Sequence, residues 1–130
     1  MTADLVVLDA SALLALLFNE PGADIVAARL ATSVIGAVNL SEVAAKLADH
    51  GMPAEAIALT FREFDLDVRA FDVDQARIAG ALRGSTRALG LSLGDRACLA
   101  LAASLNATAM TADRVWGQIS ADGVAVQLIR

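Results

Sequence analysis

Four acids carry the chemistry that this chain's residue types allow: Asp9, Glu42, Asp95 and Asp113. They stand in VVLDASALLALL, AVNLSEVAAKL, LSLGDRACLALA and ATAMTADRVW. Each falls where an apolar run gives way to a helix or inside a helix's first turn. Other acids, such as Glu55, Glu63, Asp65 and Asp67, read as solvated. If the fold gathers the four turns, four like charges meet in one pocket and cannot all stay ionised without a cation between them. Few basic residues are close in sequence: Lys46, Arg96 and Arg114. The two arginines directly follow their acids and so point elsewhere on the helix. With one histidine and one cysteine in the chain, the ligands would be oxygens, which favours Mg2+ or Mn2+ over Zn2+. A hard cation held by carboxylates and water points to phosphate chemistry.

Each acid taken singly also has an ordinary explanation. Acids in a first helical turn gain about 0.3–1 kcal/mol from the macrodipole and capping. Asn39 precedes Glu42 by three positions and Ser92 precedes Asp95 by three, the spacing of a capping box. The set of four embedded between apolar runs is harder to explain this way.

The elements that must position them follow from the apolar pattern. Leu5–Leu8 reads as a strand buried on both faces, and SALLALLFNE after Asp9 as a helix apolar almost all round. Pro21-Gly22 breaks that helix before GADIVAARLA. Ser33–Val38 reads as a second strand, followed by a helix capped by Asn39 and stopped by Gly51. Pro53 suits the first turn of PAEAIALTFREF. Asp67–Phe71 reads as a third strand, and Asp72 and Gly84 bound the next helix. GSTRALGLS reads as a polar, flexible segment; Ser92 then caps LGDRACLALAASL. ATAM is a fourth strand, Thr111 caps the short helix ADRVWGQI, and VAVQLI is a fifth strand. This alternation implies an α/β fold, a mainly parallel sheet with helices on both faces. In such sheets sites form at the carboxyl ends of strands.

Composition sets the outer bounds. The 130 residues fit one domain over 1–130, and 57% hydrophobic content supports a sizeable core. Tyrosine is absent and aromatics are 4%, so that core must be mostly Ala, Leu and Val. The lone Cys98 excludes an internal disulfide and reads as a small buried hydrophobe. MTADLVV lacks a basic leader, and the run from Ala12 to Phe18 is far short of the about 18 residues that span a membrane. A cytoplasmic location is therefore the expectation. The net charge of −5 argues against a broad basic face for nucleic acid, though not against a nucleic-acid substrate at a metal site.

The segments LDASALLALLFNEPG, NLSEV, GLSLGDRACLALA and TADRVW, in that order, resemble a PIN-domain protein, and more closely the VapC toxins of bacterial toxin–antitoxin pairs. Together with the helix lengths between them, they cover nearly the whole chain. The resemblance implies a three-layer α/β/α sandwich with a five-stranded sheet and an acidic quartet at Asp9, Glu42, Asp95 and Asp113. It further implies Mg2+ or Mn2+ at that quartet, endonucleolytic cleavage of RNA, a small antitoxin partner and a homodimer. Asp9 and Asp95 match the acids most often counted as direct ligands, and Ser11 and Thr111 match positions that order the site. Candidate RNA contacts are Arg83, Ser85, Thr86, Arg87 and Arg96, which flank or open the helix carrying Asp95. Trp116 and His50 read as packing and surface residues. Leu13, Leu17, Phe18 and Ile25 are candidates for a partner groove.

Three other functions compete for the same pattern. A receiver-type phosphorylation module wants adjacent acids after the first strand, where Ala10 follows Asp9, and a lysine after a late strand, where Lys46 is mid-helix. A haloacid-dehalogenase-like phosphatase wants a second Asp at the position of Ser11. A non-catalytic interaction module keeping the fold and the helix caps stays open.

Overall fold

The computed structural model describes residues 4–119 and 123–130; the first residues of MTADLVV lie outside it. Five short strands form one sheet in the order β3-β2-β1-β4-β5, every neighbouring pair parallel. They are β1 Val6–Leu8, β2 Ser33–Gly36, β3 Val68–Arg69, β4 Thr108–Thr111 and β5 Ala125–Leu128. Six α-helices connect them among the described residues: α1 Ala10–Leu17, α2 Ala23–Arg29, α3 Ala37–Asp49, α4 Ala54–Glu63, α5 Val73–Thr86 and α6 Leu93–Ser104.

The central strands are buried on both faces, as the unbroken apolar runs require. Val6, Leu8, Ile35 and Met110 face one core with Leu13, Val26, Val43 and Leu47 of α1, α2 and α3; α4 adds half-buried Ile57 and Phe61. Val7, Val34 and Ala109 face the other, with Leu82 of α5, Cys98, Leu99 and Leu101 of α6, and Trp116. The alternation along each strand therefore serves two cores in a three-layer α/β/α sandwich. Helix α6 is buried from Ala97 to Ala102, and its alanines and Cys98 let it lie close against the sheet. No described helix is long and apolar enough to cross a membrane.

The strand order reverses between β1 and β4. The chain leaves β1 for β2 and β3 on one side, then crosses to β4 on the other. Leu8 pairs with Met110, so Asp9 and Thr111 emerge side by side at the carboxyl edge, where Asp9 N–H donates to Met110 O at 2.9 Å. A crevice at this switch point is where open parallel sheets bind ligands.

Several boundaries differ from the sequence reading. Strand β2 ends at Gly36, and Gly36 rather than Asn39 is the N-cap of α3. Val38, β-branched, reads locally as strand, but packing outweighs such weak propensities. Strand β3 shortens to two residues. The GSTRALGLS segment is largely ordered: α5 runs on to Thr86 and a 3₁₀ turn spans Arg87–Leu89. The Ser85 and Thr86 hydroxyls donate to Leu82 O at 3.3 and 2.7 Å, which satisfies them inside a helix they would otherwise disfavour. After β4 the chain forms a 3₁₀ helix, Arg114–Gln118, capped by Asp113 rather than Thr111.

Two glycines test this geometry in opposite directions. Gly22 opens α2 at φ +98°, and a Cβ there would sit 2.7 Å from Ile129 O. Gly84 lies inside α5 with nothing within 4 Å of a Cβ. In urea denaturation, Gly22→Ala is expected to lose about 1–3 kcal/mol. Gly84→Ala is expected to gain about 0.5–1 kcal/mol. A loss at Gly84 would contradict the continuous α5.

Candidate active site

Asp9 ends β1 and occupies the N-cap position of α1, yet its carboxylate does not cap the helix. It is only 5% exposed. Its Oδ2 accepts from Ser11 Oγ at 2.7 Å and from Thr111 Oγ1 at 2.9 Å. These hydroxyls are fixed in turn, because Ala112 N–H donates to Ser11 Oγ and Asp113 N–H donates to Thr111 Oγ1, both at 3.0 Å. Asp9 Oδ1 faces the Asn39 amide, 3.5 Å away. Burial raises the Asp9 pKa most; the hydroxyls oppose this and the charge of Asp95 adds to it.

Glu42 reaches the same place from α3. It is the sixth residue of that helix, past the first turn, so a capping role does not explain it. Its Oε1 accepts from Asn39 Nδ2 at 2.9 Å. Burial, then the charges of Asp9 and Asp95, push its pKa up against the amide's opposing effect. Asp95 arrives at the third residue of α6 and completes a capping box: Asp95 N–H donates to Ser92 Oγ at 3.1 Å, and Ser92 N–H donates to Asp95 Oδ2 at 2.9 Å. Cys98, one turn further along α6, registers all three acids. Burial raises its pKa far above the thiol range, and Asp9, Asp95 and Glu42 add to the rise. A thiol held protonated beneath three carboxylates is no nucleophile.

Asp113 stands apart. It is exposed, its Oδ1 accepts from Val115 N–H at 3.1 Å, and it is not among the charges acting on Asp9 or Glu42. The sequence placed all four acids together; the structure sets Asp95 where its charge acts on Asp9 and Glu42, and leaves the fourth acid at the rim, joined to Asp9 through Thr111.

Asn39 is the participant that the sequence reading misassigned. Read as a cap, it is instead 1% exposed, and its Nδ2 faces Glu42 Oε1, Gly94 O at 3.0 Å and Asp9 Oδ1. The signal available in sequence was the same i, i+3 spacing to Glu42 that suggested the capping box. Among the candidate RNA contacts, Arg83, Ser85 and Arg87 are exposed. Thr86 is corrected: it is buried against Leu82 and presents nothing to a ligand. Arg96 is half-buried and donates to Ala79 O at 3.0 Å, away from the acids. Trp116 is core. Exposed His50 stacks against Phe18, ring centroids 4.7 Å apart. Leu13 is wholly buried and leaves the proposed partner groove, whereas Phe18 is 37% exposed.

Whether these residues fit a cation rests on the donor set. No three His, Cys, Asp or Glu side chains among the described residues are gathered as a ready ligand group. None of the four acids forms an ion pair among the described residues. The groups contacting Asp9 are neutral donors, so the negative charge of the pocket is not balanced by the protein. Asp9, Glu42 and Asp95 are oxygen ligands of the kind Mg2+ and Mn2+ take. The residues fit.

A family model described as PIN domain matches residues 6–121. No curated protein sequence matches the chain. Among solved structures, DNA-bound VapBC from Salmonella typhimurium gives a TM-score of 0.75 at 16% identity, covering 98% of this chain and 100% of that one. VapBC2 from Rickettsia felis, bound to a promoter DNA fragment, gives 0.71 at 16%, covering 95% and 98%. FitAcB from Neisseria gonorrhoeae gives 0.68 at 19%, covering 96% and 98%. At such identities the likeness establishes the fold.

The raised Asp9 pKa fixes a sign. In the metal-free protein no charge penalty exists below the ordinary carboxylate value of 3.8, and it develops as pH climbs through the raised value. Asp9→Asn removes that penalty. Its thermal midpoint is therefore expected to match wild type near pH 4 and to exceed it at pH 7, by about 1–2 kcal/mol of stability. A gap that stays constant or narrows with pH would contradict the uncompensated charge.

Proposed function

The chain belongs to the PIN-domain family, and from that membership together with the acid cluster we propose that it is a Mg2+- or Mn2+-dependent endoribonuclease, the toxin of a toxin–antitoxin pair. The observation that carries this reading is Asp9: a buried carboxylate with no basic partner among the described residues, close to Glu42 and Asp95 at the sheet's switch point.

In this mechanism Asp9 and Asp95, with Glu42, hold the cation. Ser11 and Thr111 keep Asp9 Oδ2 engaged and so aim Oδ1 into the crevice. A bound divalent cation activates water and offsets charge developing on the phosphoryl group. Asp113, the acid of the four not assigned to the cation, would accept the proton of the attacking water. Attack by water needs no RNA 2′-hydroxyl and leaves a 5′-phosphate and a 3′-hydroxyl. Exposed Arg83 and Arg87 at the end of α5 hold flanking phosphates.

The structures matched include toxin–antitoxin complexes, and the reading extends their partner to this chain, as a homodimer with a small antitoxin. Ser11, Leu14, Phe18, Glu20, Lys46, His50 and Arg130 line a cavity of about 340 Å3 that reaches Ser11, the partner of Asp9. Its apolar floor and mixed-charge rim, where Glu20 pairs with Arg130, suit an antitoxin segment carrying apolar and polar side chains, and half-buried Leu17 and Ile25 stay candidates for the contact. The rival reading, a non-catalytic interaction module, draws on the caps that occupy Asp95 and Asp113.

Cleavage of total RNA with Mn2+, read by mapping 5′-phosphate ends, separates the two. Asp9→Asn and Asp95→Asn, which keep shape, are expected to lose at least about 100-fold in rate, and Asp113→Asn about tenfold. Undiminished cleavage by Asp9→Asn would sink the mechanism. No cleavage of any RNA by wild type would favour the interaction module.

A further inference from the structure

We propose that Asn39 and Gly94 are positioning residues that together set the carboxylate of Glu42 over the cation site. The inference deepens the nuclease reading of this site and rests on it.

Asn39 supplies the attraction. Glu42 sits on an exposed stretch of α3 with Asp9 and Asp95 repelling it, so an unrestrained side chain would turn to solvent. Asn39 Nδ2 holds Oε1 at 2.9 Å and simultaneously reaches Gly94 O at 3.0 Å and, more weakly, Asp9 Oδ1 at 3.5 Å. One buried amide thus ties together α3, the start of α6 and the end of β1. Its own Oδ1 is buried with no partner. Every hydrogen bond that the Asn39 side chain makes is thus directed at the acid cluster and the backbone beside Asp95, which a merely packed asparagine would not require. A neutral donor also suits this role, because it holds carboxylates near one another without cancelling the charge that attracts a metal, as Lys or Arg would.

Gly94 supplies the space. It is the second residue of α6 and has no positive φ, so the backbone does not require glycine. A Cβ there would lie 2.4 and 2.5 Å from Glu42 Oε2 and Oε1, and 2.6 Å from Cδ. The three nearest atoms are all the end of one flexible side chain. Alanine at 94 would therefore displace Glu42 into solvent while leaving the fold intact, with helix propensity in its favour.

This makes a decoupling measurable without activity. Mn2+ binding to the protein alone, by calorimetry, is compared with the thermal midpoint for wild type, Gly94→Ala, Asn39→Ala, Glu42→Ala and the two double variants with Glu42→Ala. Gly94→Ala is expected to keep or raise the midpoint while weakening Mn2+ about tenfold, the scale of loss when a ligand's supporting group is removed. With Glu42 already alanine, neither Gly94→Ala nor Asn39→Ala should weaken Mn2+ further. Wild type that binds and cuts RNA while Gly94→Ala binds Mn2+ equally well would overturn the positioning role alone, as would losses that add in full to that of Glu42→Ala. Wild type that binds no Mn2+ would overturn the nuclease reading and this inference with it. Should Asn39→Ala fail to fold, the Gly94 cycle still decides.

Discussion

The buried carboxylate of Asp9 organises this molecule. It ends a strand with apolar cores on both sides, at the one place where the sheet reverses its order. Desolvating a carboxylate there is costly, and the structure meets part of that cost with hydroxyls from Ser11 and Thr111, each locked by a backbone N–H. The parallel pairing of β1 with β4 is what lets Thr111 reach Asp9 across a sequence separation of 102 residues. A polar group this deep and this well supported is an arrangement for holding charge.

The pocket's character comes from its neutrality of support. Hydroxyl and amide donors touch Asp9 and Glu42, while the nearest arginine on α6, Arg96, turns its guanidinium to Ala79 O. Had a guanidinium entered, the carboxylates would be satisfied and a metal excluded. Instead burial and the charge of Asp95 raise the proton affinity of Asp9 and Glu42, and all three acids add to that of Cys98 beneath them. A divalent cation bound there would offset these charges together. The same logic accounts for the near approach of Glu42 to Gly94, where a bare Cα admits a carboxylate that any larger residue would displace.

Much of this was legible in the chain. The strands read as LVVL, SVIGAV and ATAM announce themselves as short apolar or β-branched runs, and their alternation with helices pointed to the parallel architecture. Ser92 and Asp95 form the capping box their spacing implied. The failures are physical and local. Asn39 and Glu42 have that spacing too, but tertiary partners drew the Asn39 amide inward and α3 began three residues early, at Ala37. The segment after Gly84 looked flexible because sequence does not show Ser85 and Thr86 back-bonding to Leu82. Sequence also grouped Asp113 with the other acids, since an edge position and a pocket position look alike until the 3₁₀ turn after β4 is drawn.

Diffraction from crystals grown with Mn2+, with data collected for its anomalous signal, addresses the account at its root. One anomalous peak is expected at the β1/β4 switch point, about 2.1–2.2 Å from carboxylate oxygens of Asp9 and Asp95 and with Glu42 turned toward it. No peak there at saturating Mn2+, or an arginine drawn in to pair with Asp9, would contradict a cation as the partner of that buried charge.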